Sequence, residues 1–79
     1  MDTTELNVAM LRKGVTANQL ADAIEKSRVS FNRKKFGEVP FDTREIFAIA
    51  DALSLNLQQV NVIFFDGNLH DGNFGAPEP

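Results

Sequence analysis

The segment Thr16-Ala17-Asn18-Gln19-Leu20-Ala21-Asp22-Ala23-Ile24-Glu25-Lys26-Ser27-Arg28-Val29-Ser30-Phe31-Asn32-Arg33-Lys34-Lys35-Phe36-Gly37 reads as two short helices joined by a tight turn. Thr16 with Gln19 three residues on makes a capping box, in which each side chain satisfies a backbone N–H that an α-helix start leaves unpaired. Leu20, Ala21 and Ile24 form the buried face of this helix. After Glu25 and Lys26, Ser27 is a good N-cap for the next helix, which runs to about Phe36, where Gly37 can take the left-handed conformation that ends it. Phe31 is its one clear core residue. A short helix with one apolar anchor and several cations gains little by itself, so its polar face is expected to meet an external partner.

Working outward, Leu6, Ala9, Met10 and the stem of Lys13 are spaced as one face of a preceding helix, and Gly14 stops it. Downstream, Glu38-Val39-Pro40 break the pattern. Asp42 with Glu45 then opens a helix whose face is Ile46, Ile49, Ala50 and Leu53, at the i, i+3, i+4, i+7 spacing. Asn56 with Gln59 repeats the device, and Leu57, Val60, Ile63 and Phe64 carry the apolar face on to Phe65. Phe31, Phe41 and Phe47 are expected in the core. From Asp66 onward Gly67, Gly72, Gly75, Pro77 and Pro79 leave no sustained period, and a flexible tail is expected. The expectation is one all-α domain of five helices over residues 1–65, followed by a tail over 66–79.

The bulk numbers agree with a single domain. A chain of 79 residues with 43% apolar content encloses one modest core, and the absence of cysteine leaves helix packing to hold it. No apolar run approaches the roughly 20 residues of a membrane span, and the chain opens with Asp2, Thr3, Thr4 and Glu5, so a cytoplasmic location is expected. The net charge of -3 disfavours a phosphate polymer taken alone. Its distribution reverses that reading. Lys26, Arg28, Arg33, Lys34 and Lys35 fall within ten residues that hold no acid.

Gly14-Val15-Thr16, Gln19-Leu20-Ala21 with Ile24, Ser27-Arg28 with Phe31 and Arg33, Gly37, and Ala52-Leu53-Ser54-Leu55-Asn56-Leu57 before Val60 keep an unbroken spacing over most of the chain. In this the sequence resembles the helix-turn-helix family of phage repressors, Cro proteins and related xenobiotic-response-element-like regulators. The resemblance implies a lambda-repressor-like five-helix domain whose third helix enters the major groove of double-stranded DNA. It places Arg28, Val29, Asn32 and Arg33 at the base edges, where an Arg suits guanine, an Asn adenine and a Val the thymine methyl. Thr16, Ala17, Asn18, Lys26, Ser27, Lys34, Lys35 and Arg44 are implied phosphate contacts.

Three departures from that family's pattern stand out. Glu25 stands where the turn usually holds glycine, so it must accept a positive φ or bend the turn another way. Ala17 replaces a frequent contacting Gln. Met10 and Lys35 together replace a partly buried Arg–Glu pair, which avoids an orphaned charge and leaves Lys35 for a phosphate.

The apolar end of the last helix, Val60, Ile63, Phe64 and Phe65, suggests a protein contact, and in relatives this region often joins two subunits. A homodimer on a palindromic operator, repressing by promoter occlusion, is the expected mode. The alternative is a modulator of the same shape that binds another phage repressor protein; the acidic net charge, Ala17 and the apolar end favour it, and the basic run opposes it. His70 lacks partner ligands, Ser27, Ser30 and Ser54 are explained as caps and turns, and Asp66-Gly67-Asn68 and Asp71-Gly72-Asn73 read as turns, not a calcium loop. No enzyme activity, cofactor, metal site or small-molecule substrate is expected.

Overall fold

Residues 1–67 are described in the computed structural model, and they form five α-helices with no strand among them: α1 (Thr3–Lys13), α2 (Ala17–Ala23), α3 (Arg28–Lys35), α4 (Thr43–Ala52) and α5 (Leu57–Phe65). Each helix starts at a side-chain oxygen that accepts the backbone N–H three residues on. Asp2, Thr16, Ser27, Asp42 and Asn56 take these positions. The boxes expected at Thr16/Gln19, Asp42/Glu45 and Asn56/Gln59 are all complete, with contacts of 2.8–3.2 Å.

The helix ends share a device too. After α2, the Glu25 N–H donates to Asp22 and the Lys26 N–H to Ala21, both at 3.0 Å, with Glu25 itself left-handed at φ 60°. After α3, the Gly37 N–H donates to Lys34 and the Glu38 N–H to Arg33. These are Schellman closures, which satisfy carbonyls that the helix leaves over. Glu25 therefore takes the positive φ where glycine is the easier residue, and Ser54 does the same after α4, at φ 53°. A side chain in that region is strained. Ser54 is exposed and remote from α3, so Ser54→Gly is expected to stabilise the domain by about 1 kcal/mol. For a domain of this size, calorimetry should show the midpoint rise by about 4–8 °C.

Every helix contributes to one core. Leu6, Leu20, Phe31, Ile49 and Leu53 are almost wholly buried, and Val60, Ile63 and Phe64 complete the cluster from α5. Phe41, in the loop before α4, joins the ends: its ring lies 6.0 Å from Phe31 and packs edge-on at 5.7 Å against Phe64. Such pairs add to the stabilisation from burial alone.

Two expectations are corrected here. Phe47 is 61% exposed, because it sits one residue beyond Ile46 and points about 100° away from the stripe of Ile46, Ile49 and Ala50. Val60, Ile63 and Phe64 are buried within the protein and do not form a surface for a partner. α1 lies along α5, the Asp2 N–H donates to the Ile63 carbonyl at 2.7 Å, and Phe41 covers Phe64. Of the four, Phe65 alone is half-exposed. At the end of α5, Asp66 is left-handed and the Gly67 N–H closes onto Asn61. The rest of the expected tail, with His70 and the Asp71-Gly72-Asn73 turn, lies outside the described residues.

Candidate nucleic-acid interface

α3 packs chiefly on α2 and presents its opposite side to solvent. Phe31, 0% exposed, is the sole buried residue of this helix. Residues two before and two after it project from the far side, since 3.6 residues complete a turn. Val29, Asn32, Arg33 and Phe36 thus follow one another at i, i+3, i+4 and i+7, and they line one open surface with Glu38. Arg28 flanks the stripe one position before Val29. Arg28, Val29 and Arg33 are exposed, and Asn32 is half-buried. Three of the four residues expected at base edges therefore share one outward face, and Arg28 is exposed at its side.

Phe36 was not anticipated as part of that face. It is 69% exposed, and the Lys35 ammonium lies 5.7 Å from its ring centre. Its displacement of about 140° from Phe31 around the helix was a readable signal. The C-terminal end of α3 is tied down by Thr3, whose hydroxyl donates to the Lys35 carbonyl at 2.8 Å.

The expected phosphate-contacting residues divide. Lys26 and Ser27 are exposed at the turn before α3, Asn18 is exposed in the first turn of α2, Ala17 is half-buried, and the Thr16 N–H and hydroxyl oxygen are both engaged in the capping box. Lys35 is half-buried with its ammonium near Phe36. Lys34 is a correction. Its ammonium turns inward and donates to both carboxylate oxygens of Glu45, at 2.6 and 2.7 Å. The Lys34 side chain is 12% exposed and that of Glu45 3%, so this cation is committed to the interior.

The Lys34–Glu45 pair locks α3 to the first turn of α4. Glu45 serves twice, because the same carboxylate accepts the Asp42 N–H at 3.0 Å in the capping box. Sequence spacing shows the capping role and hides the ion pair, whose partners lie on different helices. A buried pair broken on one side leaves an uncompensated charge. Glu45→Gln keeps a capping group and strips the charge, and is expected to destabilise by about 3 kcal/mol. Lys34→Met with Glu45→Gln removes both charges and should recover most of that loss in urea unfolding.

Two further ion pairs are exposed, one on the α3 face and one between the turn before α3 and the start of α4. Arg44 Nη2 donates to Glu25 Oε2 at 2.6 Å, and Arg33 Nε lies 3.4 Å from Glu38 Oε2. All four side chains are more than half exposed. Arg44, at the second residue of α4, thereby reaches back to the turn between α2 and α3.

Among the described residues, no helix is long and apolar enough to cross a membrane. Five short helices in an all-α arrangement, with an exposed, cation-bearing α3, define the class to which the coordinates lead. Compared with known families, characterised proteins and solved structures, the chain has no match.

Proposed function

We propose that this protein is a sequence-specific DNA-binding regulator, with α2 and α3 acting as a helix-turn-helix of the phage repressor and Cro type. One observation carries the reading: Val29, Asn32 and Arg33 occupy a single outward face of α3, away from its one buried anchor, with the exposed Arg28 beside them. The major groove is about 12 Å wide and admits one α-helix, and these side chains offer donors to guanine and adenine with an apolar contact for a thymine methyl. Lys26, Ser27 and Arg44 surround the face with groups suited to phosphate.

Repression by covering a promoter is the simplest mode for a domain of this size. Two copies on a two-fold operator would set their α3 helices about 34 Å apart. With Val60, Ile63 and Phe64 buried, α5 leaves Leu57 and Val62, at 55% and 40% exposure, and the half-exposed Phe65 as apolar groups for such a contact. The same exposed groups keep a second reading in view, a modulator that binds another repressor protein.

Enrichment from a random duplex library, followed by anisotropy titration of the selected duplex at two salt concentrations, tests the proposal. Nanomolar, salt-weakened binding to one sequence, with far weaker binding to an unrelated duplex, is the expected result. Failure to enrich any sequence would contradict it and direct attention to a protein partner.

A further inference from the structure

The exposed Glu25–Arg44 and Arg33–Glu38 pairs, whose glutamates stand just before and just after α3 in the chain, have a common design. In each, a glutamate at or just beyond a helix end lies against an arginine that a bound polyanion would claim. Glu38 is held there by the Schellman closure of α3, its N–H donating to the Arg33 carbonyl at 2.9 Å while its carboxylate faces the Arg33 guanidinium. Glu25 is held at the left-handed residue that closes α2, and its carboxylate meets Arg44. Neither pair is buried, so neither is needed to neutralise an interior charge.

We propose that Glu25 and Glu38 act as internal stand-ins for phosphate, competing with DNA for Arg44 and Arg33 and so limiting how tightly the protein holds its site. The inference rests on the DNA-binding reading above and adds to it a brake on affinity. When DNA arrives, each arginine must give up a carboxylate to take a phosphate or a base edge, and the loss of the internal pair opposes binding. In this way part of the acid of a chain of net charge -3 is set against its own basic residues.

The test compares anisotropy titrations of the wild type, Glu25→Gln, Glu38→Gln and the double variant on the selected duplex. A distant control, Asp51→Asn, removes the same charge from the exposed end of α4. Each glutamine keeps the shape and removes the charge. Each single variant is expected to bind several-fold tighter and the double variant roughly tenfold tighter, while the control stays within about twofold of the wild type. The Glu25→Gln gain should vanish in an Arg44→Ala background, and the Glu38→Gln gain in an Arg33→Ala background. Gains that persist without the arginines, or that the control matches, would show general charge repulsion and overturn the brake while leaving DNA binding intact. Wild-type binding with no gain in any variant would overturn it as well. Absence of binding by every protein, with unchanged helical circular dichroism, would overturn the DNA-binding reading itself.

Discussion

Phe31→Ala is expected to lower stability by about 3–5 kcal/mol, a large part of what holds this domain folded. The side chain is fully buried, is the only buried residue of α3, and reaches the Phe41–Phe64 contact that links the loop before α4 to α5. Its removal leaves a cavity that a well-packed core fills only partly. A chain of this length has a total stability of roughly 4–12 kcal/mol, so the variant should be largely unfolded or close to it at 37 °C. Urea unfolding followed by circular dichroism measures the loss. Phe31→Leu retains most of the buried volume and should lose much less. Near-equal stability of the alanine variant and the wild type would show that α3 is not anchored through this ring.

The second large effect is on binding. Arg28→Ala with Arg33→Ala is expected to weaken binding to the selected duplex by about 100-fold or more, since each bidentate base contact contributes roughly 1–3 kcal/mol of discrimination. Both side chains are exposed, and neither takes part in the core, so the melting temperature should shift little. The Arg33–Glu38 pair that is lost is an exposed one and contributes less than about 1 kcal/mol. A contrast by type is expected within the same face. Lys26→Ala should weaken all duplexes about equally and reduce the salt dependence, as a phosphate contact does, whereas the arginine changes should relax the choice of sequence.

Much of the fold was legible because its signals are local. Asp42 with Glu45 and the stripe from Ile46 to Leu53 lie within a few turns of one another, and the capping groups mark where helices begin. At Glu25 two readings were open, a positive φ or a different bend of the turn, and the backbone takes the first. What was not legible depends on contacts between distant parts of the chain. The surplus of apolar residues at the end of α5 suggests a partner surface until α1 and Phe41 are seen to cover it. Lys34 belongs to a basic run, and nothing in that run tells it from Lys35; the position of Glu45 on α4 does. Phe47 is a different case: its place one residue beyond Ile46, off the stripe that turns inward, is a local signal that the expectation of a core ring missed.

The central claim is that α3 reads DNA with the face opposite Phe31. Amide chemical-shift mapping of the labelled protein, titrated with the selected duplex, tests it most directly. The account predicts that the largest changes fall on residues 26–36 and at the start of α2, with α1 and α5 little affected. Changes confined to α1 and α5, or none in α3, would contradict it.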